Sequence, residues 1–126
     1  MKTILIVEDN EKNMKLVRDI LQHQGFETIE AATGGDGVRL ARERHPDLVL
    51  MDIQLPDIDG IAALREIRTD SALDTVPVLA VSASVMPDDQ QKIVSSGFDA
   101  FITKPINLKQ FSETVQRFLR DGRRAP

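Results

Sequence analysis

The sequence predicts an α/β domain: a doubly wound (βα)5 unit whose five parallel strands run in the order 2-1-3-4-5. Three observations carry this. Five short strand signals alternate with five helix signals along the chain, and strict βα alternation with right-handed crossovers gives a parallel sheet covered by helices on both faces. The runs 4–7, 48–51 and 78–81 are almost unbroken apolar residues, as expected of strands buried on both sides. The runs 27–31 and 100–103 mix polar with apolar residues, which suits sheet edges. The order 2-1-3-4-5 puts the apolar strands inside and the mixed ones outside.

The helices follow in turn. The first, over about 10–24, carries Leu16, Val17, Ile20 and Leu21 on one face, and Gly25 follows where a C-terminal cap belongs. On this helical wheel Met14 falls at the margin of the buried arc, exposed, with Arg18 beyond it; Asn13 lies inside the arc and serves local backbone groups. Thr33 with Asp36 has the spacing of a capping box and opens the second helix. Ile61, Leu64 and Ile67 mark the third. The fourth, between Pro87 and Gly97, has only Ile93 and Val94 as an apolar face, so it is expected to be the least firmly anchored. The fifth, from about 107, repeats Leu108, Phe111, Val115 and Phe118 at three- and four-residue intervals, a core stripe.

A chain of 126 residues with 41% hydrophobic content is the size of one globular domain and leaves no room for a second. The expected division is a domain over 1–120 and a short tail over 121–126. With no cysteine there are neither disulfides nor thiolate metal sites, and a reducing cytoplasm is the expected compartment. No run reaches the roughly 18 to 20 apolar residues of a membrane span, and no signal-peptide pattern opens the chain. The net charge of −4 gives no overall drive toward nucleic acid. The stretch 117–124 is locally basic, as a solvated helix end would be.

In open α/β sheets, ligands bind beyond the carboxyl ends of the strands. There the chain places Glu8 and Asp9 after the first strand, Asp52 after the third, Ser82 after the fourth, and Lys104 with Pro105 after the fifth. Any one of these alone would be read as a helix cap. Together they form a site. Carboxylates about 5 Å apart at an effective dielectric of about 20 repel by roughly 3 kcal/mol per pair, so the acidic cluster calls for a cation. All-oxygen ligands favour a hard ion, Mg²⁺ first with Mn²⁺ as the alternative. His23 and His45 stand away from the cluster and are expected to be solvated. A cation beside a carboxylate, an ammonium and a hydroxyl is the set that neutralises a transferring phosphoryl group, with Asp52 as nucleophile.

These residues resemble the receiver domains of two-component response regulators over nearly the whole chain. The resemblance rests on Val7-Glu8-Asp9-Asn10, on Leu50-Met51-Asp52-Ile53-Gln54-Leu55-Pro56, on Gly60, on Ser82-Ala83 and on Thr103-Lys104-Pro105. It implies the flavodoxin-like receiver fold and a phosphorylation switch in which Asp52 accepts phosphate from a histidine kinase or a histidine phosphotransfer protein. Asp9, Asp52 and the backbone carbonyl of Gln54 would ligate Mg²⁺, with Glu8 acting through water. Lys104, Ser82 and Ala83 would receive the phosphoryl oxygens, and the Lys104–Pro105 peptide would be cis. Ser82 would move toward the phosphoryl group and Phe101 would fill the space it leaves. Gln54 and Ser84 would flank the path of an attacking water. Met14, Arg18 and Ile106 are the candidates for kinase docking, with core packing the competing role of Ile106.

Within that family, Glu8-Asp9-Asn10 with Asn13-Met14-Lys15-Leu16 and the stretch around Asp52 are similar to the DivK group of single-domain cell-cycle regulators. Similar motifs occur in receivers attached to hybrid kinases; Met1 directly before the first strand favours a full-length single-domain chain. Output is expected as protein contact through the fourth helix, fifth strand and fifth helix, with no direct nucleic-acid or membrane binding and no enzymatic turnover of an external substrate. A haloacid-dehalogenase-type phosphatase would carry a second aspartate where Gln54 stands. A flavin carrier would need a Ser/Thr/Gly loop after the first strand, and glycines 34, 35 and 37 lack the Gly-Lys-Ser/Thr of a phosphate loop. The remaining alternative is a binding module that keeps the fold and is never phosphorylated.

Overall fold

The computed structural model describes residues 1–83 and 86–124. The elements are β1 (Thr3–Val7), α1 (Glu11–His23), β2 (Glu27–Ala31), α2 (Gly34–Arg44), β3 (Leu48–Asp52), α3 (Gly60–Arg68), β4 (Val78–Ser82), α4 (Pro87–Ser95), β5 (Ala100–Thr103) and α5 (Leu108–Asp121). Short 3-10 turns occupy Ser71–Leu73 and Gly122–Arg124. All pairings are parallel and the sheet order is β2-β1-β3-β4-β5, as the alternation and the apolar runs predict. Strand residues alternate between two cores. Leu5, Val7, Val49, Met51 and Ala80 face α2, α3 and α4, whereas Ile4, Ile6, Leu50, Leu79 and Val81 face α1 and α5.

Side-chain caps set four of the helix starts. Asn10 accepts from the Asn13 N–H at 3.1 Å, Thr33 from Asp36 at 3.1 Å, Asp59 from Ala62 at 2.8 Å and Asn107 from Gln110 at 3.0 Å. Each satisfies a donor the first helical turn leaves without a partner. Both histidines are exposed, and His45 closes α2 in the left-handed conformation at φ 46°.

Three helix faces differ from the expected ones. In α1 the buried set is Met14, Val17 and Leu21, with Met14 only 8% exposed and Leu16 47% exposed. The spacing i, i+3, i+7 fits one face, and Leu16, two positions from Met14, necessarily points away from it. In α4 only Ile93 is buried, while Val94 is 51% exposed. In α5 the core stripe is Phe111, Val115 and Phe118; Leu108 is 59% exposed. Leu108 is the first helical residue, and its side chain leans toward the N-terminus, beyond the packed layer.

The basic C-terminal stretch is also more than a solvated helix end. Arg123 donates to the Asp99 carboxylate at 3.0 Å and to the Asp74 carbonyl at 2.9 Å, and the Arg117 guanidinium lies 5.3 Å from the centre of the Phe118 ring. Asp99 in turn holds Arg68 at 3.2 Å and accepts the Val78 N–H at 2.9 Å. This network fastens the end of the sheet opposite to the acidic cluster. Burial holds the Arg68 guanidinium below its ordinary range, with nearby Arg123 acting in the same direction. Among the described residues no helix is long and apolar enough to cross a membrane.

Candidate functional site

Parallel strands that end together deliver their following residues to one rim. Glu8 and Asp9 follow β1, Asp52 ends β3, Ser82 ends β4 and Lys104 follows β5. Glu8, Asp52 and Ser82 are buried, Lys104 is half-buried and Asp9 is exposed. One carboxylate oxygen from each of Glu8, Asp9 and Asp52 lies within 4.8 Å of the others. The Lys104 ammonium reaches across the sheet and donates to Glu8 Oε1 at 2.8 Å and to Asp52 Oδ2 at 3.0 Å. The remaining carboxylate oxygens take backbone donors: Asn10 N–H to Glu8 Oε2 at 3.2 Å, and Gln54 N–H to Asp52 Oδ1 at 3.1 Å. These groups line a cleft of about 360 Å³ that also takes in Asn13, Gln54, Leu55 and Ala83.

Local sequence explains the arrangement. Apolar strands hold the backbone rigidly, so the first polar residue after each apolar run emerges at the rim. Gly60 lets α3 begin against the end of β3, since a Cβ there would stand 2.5 Å from the Asp52 carbonyl oxygen. The Lys104–Pro105 peptide is cis, and the Lys104 N–H donates to the Ser82 carbonyl at 2.9 Å, tying the ends of β4 and β5 together.

The electrostatics show what the cluster lacks. Burial first, and then the contact and repulsion with Asp52, push the Glu8 carboxyl above its ordinary range even though Lys104 opposes the change. Burial works against the Lys104 ammonium, but its bonds to Glu8 and Asp52 outweigh that and raise it. One ammonium thus serves two buried carboxylates, with the third alongside. The donor set is oxygen only, with neither His nor Cys among the converging groups, so these residues fit a hard divalent cation.

The other predicted residues fall as follows. Phe101 on β5 is partly buried and packs against the α2–α3–α4 core. Ile106 is partly buried against the α1–α5 core. Arg18 is half-exposed and paired with Glu30 on β2 at 3.0 Å. Met14 lies on the inner face of α1 and is only 8% exposed, which corrects its expected exposure. The exposed apolar residues of α1 and α5 are instead Leu16 and Leu108. Ser84 lies outside the described residues. Asp57, which sequence reasoning passed over, makes two backbone contacts to α2 at the outer side of the rim.

Comparison with known proteins gives concordant results. A family model for the response regulator receiver domain matches residues 4–116. The polar-differentiation response regulator DivK of Brucella ovis is 46% identical over 121 residues, covering 96% of this chain and 98% of that protein. DivK of Brucella anthropi is 45% identical over the same shares. Among solved structures, the receiver domain of sensor histidine kinase PA1611 from Pseudomonas aeruginosa aligns with a TM-score of 0.89 and 31% identity, covering 95% of this chain and 98% of that one. That structure has a magnesium ion coordinated in its active site cleft. The Vibrio cholerae chemotaxis protein CheY4 aligns with a TM-score of 0.86 and 26% identity, over 93% of this chain and 98% of that one.

Proposed function

Because this chain belongs to the response regulator receiver family, we propose that it is a phosphorylation switch in which Asp52 takes a phosphoryl group from a phosphohistidine of a kinase or phosphotransfer protein. The observation that carries this is the Lys104 ammonium shared between Glu8 and Asp52, beside a third carboxylate. An Asp52 carboxylate oxygen attacks phosphorus in line, the O–P bond forms as the P–N bond breaks, and the electron pair returns to the leaving imidazole. Mg²⁺, held by Asp9, Asp52 and the Gln54 carbonyl with Glu8 acting through water, would neutralise charge on the phosphoryl oxygens. Lys104 exchanges its contact with Asp52 for a phosphoryl oxygen, and the Ser82 hydroxyl and Ala83 backbone donate to the others. Gln54 lines the water path on one side.

Phosphorylation replaces the single charge of the Asp52 carboxylate with a nearly dianionic phosphoryl group, and the pull on Ser82 reaches β5 through the Ser82–Lys104 backbone contact. Phe101, on the same strand, then repacks, and the face formed by α4, β5 and α5 presents a different surface to a downstream protein. Burying a phenylalanine is worth about 1.5–3 kcal/mol, the scale of a population shift. Phe101→Ala should therefore accept phosphate normally but show a reduced phosphorylation-linked change in hydrogen exchange along β5 and α4. An undiminished change would remove Phe101 from the switch. Docking of the kinase is assigned to Arg18 and Ile106, the candidates that keep partial exposure. The reading is of a cytoplasmic protein that signals by protein contact rather than through nucleic acid or membrane, and that turns over only its own phosphoryl group.

The direct test is intact mass after incubation with an acyl phosphate and Mg²⁺. The wild type is expected to gain one phosphoryl group and Asp52→Asn none. If the wild type gains nothing, or gains it with Asp52 replaced, the chain is a binding module on a receiver fold.

A further inference from the structure

The loop between β3 and α3, residues 53–59, carries Gln54 and is held at both ends. At its inner end the Gly60 N–H donates to the Ile53 carbonyl at 2.9 Å. At its outer side Asp57 spans to another element: Oδ1 accepts the Gly34 N–H and Oδ2 the Gly35 N–H, each at 2.8 Å. Those are the first two donors of α2, and Thr33 takes the next, from Asp36. The carboxylate is therefore a bidentate clip on a helix N-terminus, where negative charge is favoured. The backbone N–H of Gly35 first, with those of Ile58 and Gly34, holds the Asp57 carboxyl below its ordinary range.

The packing around the clip is close. A Cβ on Gly34 would stand 2.5 Å from Ile58 Cγ1, and one on Gly35 would stand 3.0 Å from Asp57 Oδ2. The loop thus rests directly on the backbone of α2 at residues 57 and 58, only three residues after the one whose carbonyl is assigned to the cation and whose N–H bonds Asp52. Loop conformation and site geometry are mechanically joined over that short distance.

We propose that Asp57 is a positioning residue, whose clip on the start of α2 fixes the loop so that Gln54 presents its backbone to the cation shared by Asp52, Asp9 and Glu8. This rests on the metal-assisted reading above. Partners that orient ligands in this indirect way contribute about 10- to 100-fold to metal affinity.

The test is calorimetric titration of the full chain with Mg²⁺ alone, accompanied by thermal unfolding in chelator. Asp57→Ala should weaken Mg²⁺ binding by about tenfold. Phosphorylation by an acyl phosphate should then need more Mg²⁺ for half-saturation yet reach the wild-type plateau rate. Gly35→Ala pushes the Asp57 carboxylate from the other side of the contact while adding helix propensity. It should weaken Mg²⁺ binding in the same direction without lowering the metal-free melting temperature. In Asp57→Asn, which keeps an acceptor, part of the affinity should return. Affinities of Asp57→Ala and Gly35→Ala within about twofold of wild type would overturn the proposal, as would a loss of melting temperature in Asp57→Ala with unchanged affinity. A wild type that binds no Mg²⁺ would instead bring down the metal-assisted reading itself.

Discussion

Lys104→Ala is expected to lose about 3 kcal/mol of stability in metal-free buffer near neutral pH, and to take phosphate from an acyl phosphate about 100-fold or more slowly than wild type. The stability loss follows from what the ammonium faces. It lies 2.8 Å from Glu8 and 3.0 Å from Asp52, and both carboxylates are almost inaccessible to solvent. Removing one partner of a buried ionic cluster strands the other charges, which costs about 3–5 kcal/mol, with the lower figure suited to a rim that solvent can partly reach. The rate loss follows from removing a preorganised cation from the place where phosphoryl charge develops.

The pH dependence gives this prediction a sign. Glu8 is raised in the folded state, by burial first and by Asp52 second, so the fold binds its proton more tightly than the unfolded chain does. The stabilising effect of its proton is fully present below the unfolded carboxylate value, about 4.3, and is lost as pH rises through the raised folded value. Lys104 moderates that loss in the wild type. Without it the loss on going to neutral pH is larger, so the deficit of Lys104→Ala should shrink on acidification toward about pH 4 and also on addition of Mg²⁺. Urea unfolding at both pH values, with chelator and with Mg²⁺, measures this. A deficit of equal size in all conditions would show that Lys104 acts through packing of its stem and not through charge.

That Lys104, Glu8 and Asp52 share one rim is legible in the sequence, because parallel strands of matched length end together; that the ammonium bonds both carboxylates is not, since the sequence reading gives it to a phosphoryl oxygen. The sheet order was legible for a related reason: unbroken apolar runs such as Val78 to Val81 have no polar face to leave in solvent. Helix faces were less so. The first helix holds Met14, Leu16, Val17, Ile20 and Leu21, more apolar residues than one buried stripe accommodates, and the choice between Met14 and Leu16 is made by the sheet surface and not by the helix. Leu108 continues the spacing of the fifth helix but stands where the core has already ended. The Asp57 clip joins residues 22 and 23 positions apart, and no periodicity announces a loop carboxylate that seats on a distant helix start. The glycines at 34, 35 and 37 mark places where other groups come close to α2, a role the sequence reading does not assign them. What comes close is the loop at 34 and 35 and the Val7 side chain at 37, where a phosphate loop had been the only reading to test.

Close approach also decides the second large effect. Gly60→Ala should cost about 2 kcal/mol and lower the rate of Asp52 phosphorylation, whereas Gly25→Ala should cost about 1 kcal/mol and leave that rate unchanged. The two glycines are required for different reasons. Gly25 sits at φ +91° with nothing within 4 Å of its missing Cβ, so an alanine there meets backbone strain alone, at the far end of α1. Gly60 has ordinary backbone angles, but its Cβ would lie 2.5 Å from the Asp52 carbonyl oxygen and 3.0 Å from Ile53 Cα. Those are backbone atoms at the end of a buried strand and of the residue after it, and they cannot swing aside as a side-chain tip would. Overpacking of this kind costs about 1–3 kcal/mol, and the better helix propensity of alanine, worth up to about 1 kcal/mol at an interior position and less at a helix start, offsets only part of it. The strain relaxes by moving Asp52 relative to Lys104 and Glu8, because the helix start and the strand end are the two surfaces in contact. Comparing melting temperatures with initial phosphorylation rates for the two variants separates the cases. Equal rates in Gly60→Ala and wild type would mean that the strain escapes into α3 and that the strand end is stiffer than the helix packed on it.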